Sequence, residues 1–296
     1  MEISLPTIEE EVEVERDYDD VIQVNSFIYD DFTALEAFEI EKVILNIKDK
    51  KAPGIDLIPG EIIRELFYSN KPWFVNIFYH LLKKGIFPNI WKLAKIVLIP
   101  KQGKDHTAPD HYRPICLLPT WGKIYDKVIA NRLVYYLEMK NYLNPNQYGF
   151  RRKKSTINAL ENIKSFVVQS HAEKKLVCLI SLDVQNAFNS VNWNILKQKI
   201  RELPIPAYLM NVLFDFLKDR AMLYKNIEVF YNQGVPQGSC LGPTLWNIFI
   251  NDLLAKDFGE ETEIQAFADD IILMTKEKAS YIFKEKCVAP LNTVDS

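Results

Sequence analysis

Apolar residues recur along the chain at spacings that predict its elements. From Leu35 onward, Leu35, Phe38, Ile40, Val43, Ile44 and Ile47 follow a helical period and predict one buried face. Lys51-Ala52-Pro53-Gly54-Ile55-Asp56 ends that pattern, because proline and glycine together interrupt regular structure. Helices are predicted over 59–69 and 72–84, the second with Pro72 in its first turn, where a missing N–H costs nothing. Pro88 closes this stretch, and Ala94 to Pro100 is a β-favouring run that predicts a strand. A polar loop over 101–111 carries Lys101, Lys104 and His106. A helix is predicted over 120–139, with Ile124, Val128, Leu133 and Leu137 inward, and another over 155–172, with Ser155 or Thr156 near its cap. Leu176 to Leu182 is a continuous apolar run too short for a typical helix, and it predicts a buried central strand. Helices over 192–202, 207–218 and 244–256 follow, with a strand over 227–232. Two short strands flank Ala268-Asp269-Asp270 within 264–274. The mixture points to an α/β or α+β fold without repeats.

Composition adds a core but no class: 48% of the 296 residues are hydrophobic and 25% charged, as in ordinary globular proteins. Charge changes the picture once it is located. The formal total of −3 conceals 14 acids against one base, Arg16, in residues 1–41, and an excess of +10 in the remainder. Residues 91–164 alone hold 14 bases and 5 acids. A basic block beside an acidic terminal segment fits a polyanion-binding protein, and a solvated basic face explains the charge equally well. Residues 1–34 read as an acidic flexible leader. Cys116, Cys178, Cys240 and Cys287 have no metal-binding spacing and read as free thiols of a reducing, intracellular compartment, nucleus or cytoplasm unresolved. The N-terminus has neither the basic start nor the apolar stretch of a secretory signal. No run reaches the roughly 18 apolar residues of a membrane helix, so no membrane partner is expected.

Candidate chemistry rests on carboxylates beside apolar strands. Asp183 closes the run 176–182, and Asp269 and Asp270 interrupt another, with no Lys or Arg within three residues of them. If buried, these charges need a positive partner, and magnesium is an economical one, since it takes hard oxygen ligands and leaves positions for phosphate and water. A tight hairpin turn would bring the adjacent pair together; an ordinary turn pair and a helix cap explain the same residues. Gly234-Val235-Pro236-Gln237-Gly238-Ser239-Cys240-Leu241-Gly242-Pro243 is a shaped loop that offers the Gln237 amide to a ligand, or else a plain helix start.

In order along the chain, these segments resemble the reverse transcriptases of non-LTR (LINE-type, jockey-like) retrotransposons. Lys51 to Asp56 resembles the family's KxPGxD, Tyr112 to Leu118 its YRPIxLL, and Gln147 to Thr156 its QxGFRxxxST. Asp183 to Val191 resembles DxxxAFxxV, Gly234 to Pro243 resembles PQGSxLGP, and Phe267 to Asp270 is its FADD. The resemblance implies an α+β, right-hand polymerase-like fold. Residues 35–175 form a fingers-like region holding the basic block. Residues 176–296 form a palm-like catalytic region cut before the thumb, only 22 residues following Met274. It implies that Asp183, Asp269 and Asp270, with the main-chain carbonyl of Val184, hold two Mg2+ ions, for which Mn2+ could substitute. It further implies that Lys101 and Arg113 reach the triphosphate of a dNTP. Phe188 would lie under the sugar and exclude a 2′-hydroxyl, and Gln237 and Gly238 would line the nucleotide pocket. Lys92, Lys95, Arg151, Arg152, Lys153 and Lys154 would touch the backbone of an RNA template or DNA primer.

Asn189 and Cys240 stand where such elements more often have Asp and Val. The resemblance therefore predicts an RNA-directed DNA polymerase domain. The alternative is an inactive truncated remnant that at most binds nucleic acid. A different palm-type transferase, such as a cyclase, leaves YRPIxLL and PQGSxLGP unexplained.

Overall fold

The computed structural model describes residues 32–278, apart from Gln102, Lys104, His106, Pro109 and Asp110. The acidic leader up to Asp31, and Cys287 with the last residues, lie outside the described residues.

Helix α1 (Ala37–Leu45) buries Ile40, Val43 and Ile44, α2 (Gly60–Ser69) buries Ile63 and Phe67, and α3 (Lys71–Lys84) buries Phe74, Phe78 and Leu82. Phe38, expected on the buried face of α1, is 65% exposed. At 3.6 residues per turn it lies about 160° around the helix from Ile40. The Asn70 carboxamide oxygen accepts from the Trp73 N–H at 3.3 Å and starts α3, while Gly85 in the left-handed region ends it.

Strand β1 (Leu93–Pro100) pairs antiparallel with β2 (Tyr112–Leu117), which the apolar pattern does not reveal. Arg113 and Pro114 interrupt β2's run, and a proline is tolerated there because β2 lies at a sheet edge. Helix α4 (Thr120–Met139) follows, and its predicted inward residues Ile124, Val128, Leu133 and Leu137 are all buried. Arg132 of α4 makes paired bonds to the Glu39 carboxylate at 2.9 and 2.7 Å and donates to the carbonyls of Thr33 and Ala34, tying the first described residues to the core. In α5 (Thr156–Ala172) the Ser155 hydroxyl caps by accepting from Asn158 N–H, as predicted.

The second half supplies β3 (Leu176–Asp183), the short α6 (Ala187–Ser190), α7 (Trp193–Glu202) and α8 (Ala207–Phe216). Strands β4 (Arg220–Tyr224) and β5 (Ile227–Tyr231), helix α9 (Gly242–Ala255), and strands β6 (Thr262–Phe267) and β7 (Asp270–Glu277) complete it. Two sheets result, with orders β2-β1-β4-β5 and β3-β7-β6. Among the strands of the two sheets only β1 and β4 pair in parallel, so the fold is α+β. The four-stranded sheet takes two strands from each side of residue 175. Short β4 escapes sequence reading because its pairing with β1 is non-local. Among the described residues no helix is long and apolar enough to cross a membrane. Cys116, Cys178 and Cys240 are free thiols.

Candidate active site

The three-stranded sheet gathers the predicted aspartates. In β3–β7 pairing, Asp183 is the register partner of Asp270; in β6–β7 pairing, Phe267 is. Directly paired residues on antiparallel strands share a face, with Cα atoms about 4.5–5.5 Å apart. Ala268 and Asp269 alone connect β6 to β7, and Ala268 takes φ of 60° to make the turn. The chemistry differs from a buried charge cluster: Asp183 and Asp270 are exposed and Asp269 half-buried. The apolar runs end where the carboxylates begin, so water solvates the carboxylates and burial does not force a partner. No hydrogen bond or ion pair engages any of the three among the described residues. Like charges in direct register destabilise a sheet, which leaves this strand end suited to a cation.

Among the described residues no three carboxylate, imidazole or thiol groups converge closely enough to form a complete metal cage. Magnesium commonly uses one or two carboxylates and completes its shell with water and substrate phosphate. The Asp183–Asp270 pair with Asp269 beside it fits that requirement. The Val184 carbonyl accepts from Ala187 N–H at 3.2 Å, which leaves it one lone pair.

The hairpin turn is held from below. Gln147 is buried, its Oε1 accepting from Ala268 N–H at 3.1 Å and from Gly149 N–H at 2.8 Å, while its Nε2 donates to the Ala268 carbonyl at 3.3 Å. The Trp246 indole N–H donates to that same carbonyl at 3.0 Å. Tyr148 N–H donates to Ala266 O, and Ala266 N–H donates to Asn146 O. Gly149 is required by contact: a Cβ there would lie 2.0 Å from the Ala268 nitrogen. The Trp246 ring stacks on Phe188 of α6 at 5.7 Å, and Phe150 meets Phe188 edge-on at 6.0 Å. Phe188 is thus joined to the aspartate turn through one side chain. The sequence reading gave Gln147, Gly149 and Trp246 no role. The signal available for the first two was their place in the QxGF segment.

Gln237 and Gly238 lie against Cys116 of β2. The Gln237 carbonyl accepts from Cys116 N–H of β2 at 3.2 Å, and its side chain is exposed. Gly238 has φ of 114°, and a Cβ there would lie 2.8 Å from the Cys116 carbonyl oxygen. A cavity of about 350 Å³ opens here, bounded by Ile96, Pro114, Asn189, Gly234 and Gln237. Behind the loop, buried Asp126 of α4 accepts from Ser239 Oγ (3.2 Å), Cys240 N–H (2.5 Å) and Leu241 N–H (3.1 Å). Burial pushes its carboxyl up to about 6 despite those donors. Asp126 fixes the start of α9, and its only sequence signal is a carboxylate on an otherwise apolar helix face.

The basic residues divide. Lys92 is buried and paired with Asp215 at 3.2 Å, burial holding its ammonium below the usual lysine range. Arg151 makes a bidentate pair with Glu138 at 2.6 and 2.7 Å and donates to Asn144 O. Lys154 donates to the Pro145 carbonyl and lies 4.4 Å from the centre of the Tyr148 ring. All three were expected on template or primer; Lys92 and Arg151 each hold a carboxylate of the chain, whereas the partners of Lys154 are a neutral carbonyl and a ring. Lys95, Arg152 and Lys153 are exposed. Lys101 is half-buried, its N–H bound to His111 O at 2.8 Å, and Arg113 sits opposite Ile99 in the β1–β2 register.

A right-hand polymerase-type core with paired aspartates at a hairpin is the class that this fold and site define. The solved apo telomerase of Candida tropicalis, truncated from its C-terminal domain, superposes with a TM-score of 0.50 at 17% identity, over 68% of this chain and 46% of that one. Residues 99–294 match the family model of the reverse transcriptase (RNA-dependent DNA polymerase), and the chain belongs to that family. It is 34% identical over 257 residues to the RNA-directed DNA polymerase from mobile element jockey of Drosophila melanogaster, covering 83% of this chain and 28% of the relative. It is 32% identical to a probable RNA-directed DNA polymerase from transposon BS of the same organism, covering 80% of this chain and 27% of the relative. The chain therefore spans just over a quarter of the length of these relatives. Reverse transcriptases generally use divalent metal ions.

Proposed function

We propose that this chain is the catalytic core of an RNA-directed DNA polymerase that adds dNTPs to a primer 3′-hydroxyl on an RNA or DNA template. The observation that carries this reading is the register pairing of Asp183 with Asp270 beside the Ala268-Asp269 turn. Asp183, Asp269 and Asp270, with the free lone pair of Val184 O, would hold two Mg2+ ions, which Mn2+ could replace. Bound there, the metal supplies a more acidic primer hydroxyl and neutralises charge on the phosphates. The chain's own residues orient the reactants. Phe188, held by Trp246 and Phe150, places a rigid ring under the sugar and clashes with a 2′-hydroxyl. Gln237 borders the cavity that receives the nucleotide, and Gly238 follows it on the same loop. Lys101 and Arg113 neutralise the triphosphate, a role suited to their charge. Lys95, Arg152 and Lys153 add sequence-independent attraction to nucleic-acid backbone. The free thiols support an intracellular setting.

Primer extension on poly-rA with Mg2+ tests the reading, comparing the chain with Asp269→Asn plus Asp270→Asn. The expected result is weak extension that the double substitution abolishes. Salt-sensitive duplex binding without extension by the unsubstituted chain would make it an inactive relic that only binds nucleic acid.

A further inference from the structure

A groove between α1 and α4 encloses about 320 Å³, and its charged lining is of one sign. Lys42 of α1 and Asn46 at its C-cap line it, with Lys123, Lys127 and Asn131 from α4 and Cys240; no acidic residue lines it. No ion pair engages any of these three lysines among the described residues, whereas Lys92, Arg132 and Arg151 of the same basic block each hold a carboxylate. Lys123 is half-buried, and burial lowers its ammonium from the usual lysine range. Asp56 offsets this only in part and makes no ion pair with Lys123, so a bound anion would offset the remaining cost of desolvation.

The arrangement suits an extended ligand. Lys123, Lys127 and Asn131 recur every four residues, a row of about 12 Å along α4. Lys42 of α1 and Asn46 at its C-cap form a shorter row with the same step. Each row ends in a carboxamide, which can donate to phosphate oxygens and donate to or accept from sugar hydroxyls. Cys240 lines the groove and Gln237 lines the cavity, so both border the loop 234–243.

We infer that this groove seats the sugar–phosphate backbone of a single-stranded nucleic acid, leading the template strand past the loop 234–243 to the aspartates. The inference rests on the proposal that the chain acts on nucleic acid, and it names a binding surface for that substrate.

Acetylation footprinting of the full chain tests it, with and without a saturating oligo-rA of about 20 nucleotides. Bound RNA should reduce acetylation of Lys123 and Lys127 at least about fivefold and leave exposed Lys174, Lys218 and Lys225 unchanged. Replacing Lys42, Lys123 and Lys127 together by Gln should weaken RNA binding at least about tenfold. It should also flatten the slope of log affinity against log salt by about 2. The same three changes at Lys174, Lys218 and Lys225 should not. The footprint uses the unsubstituted chain, so a variant that fails to fold leaves the test intact. It also reads binding independently of extension, so protection of Lys123 and Lys127 in an unsubstituted chain that extends no primer would count against the catalytic reading alone. Unchanged acetylation of Lys123 and Lys127 at saturation would overturn the groove assignment. Equal protection by poly-glutamate of matched charge would overturn its assignment to nucleic acid.

Discussion

Replacing Gln147 with Leu perturbs the aspartate turn without touching an aspartate. The substitution removes the acceptor for two buried donors, Ala268 N–H at 3.1 Å and Gly149 N–H at 2.8 Å. The Ala268 carbonyl keeps the Trp246 indole at 3.0 Å, so it loses only one of two donors. Each buried donor left unsatisfied costs about 1–3 kcal/mol, or about 2–6 kcal/mol for the pair. Leucine is similar in size and adds apolar contact, which brings the net loss to about 2–4 kcal/mol. For a chain of this length that corresponds to a fall in melting temperature of roughly 4–16 °C. The larger effect is on position: a shift of the turn by about 1 Å is enough to cost about 10²-fold in rate. Hydrogen exchange over peptides covering Ile264 to Ile271, run alongside primer extension, reads both. Faster exchange at Ala268, with extension down by about 10²-fold in protein that is still folded, is the expected result. Exchange and extension both unchanged in Gln147→Leu would refute the view that Gln147 positions the turn.

Three further outcomes follow from the same geometry. Asp126 binds its proton more tightly in the fold, about 6 against 3.8, so the folded state carries the extra proton between those values. Its stabilising contribution is present below about pH 4 and is lost as pH rises through 6, on the order of 3 kcal/mol; urea unfolding at pH 4.5 and 7 should lose this pH-dependent component in Asp126→Asn, and an unchanged dependence counts against it. Phe188→Val should let ribonucleotides be incorporated at a rate nearer that of dNTPs, measured by single-nucleotide extension, and unchanged selectivity would remove the steric assignment. Lys92→Met should cost about 1–3 kcal/mol, because half-buried Asp215 loses its cation and keeps only the Phe87 N–H, while the salt dependence of nucleic-acid binding stays as it was; a flatter salt slope would return Lys92 to the nucleic-acid surface.

Much of this arrangement is legible in the chain because it is local. The predicted inward positions of α4 are buried, the Ser155 cap forms, and Ala268 and Asp269 make the hairpin turn that the apolar flanks imply. What sequence reading misses is set by distant partners. Gln147 and Ala268 are separated by 121 positions, and nothing near either one announces the contact. Strand β2 contains a proline that only its edge position permits. Counting charge along the chain does not distinguish buried Lys92 from exposed Lys95, three residues apart, because the distinction depends on Asp215 packing beneath one of them. The aspartates reverse the first argument made for them: solvent at the strand ends accommodates their charge, and their shared register makes the site.

The most direct measurement of the central claim is the rate of a single dNTP addition by Asp183→Asn, with Ser181→Asn, an exposed position two residues earlier on the same strand, as the control. The account predicts that Asp183→Asn slows addition by at least about 10³-fold, as expected when a group acting on the reacting atoms is removed, while nucleic-acid affinity stays within about twofold and the Ser181 variant keeps its rate. Addition by Asp183→Asn at the unsubstituted rate would contradict it.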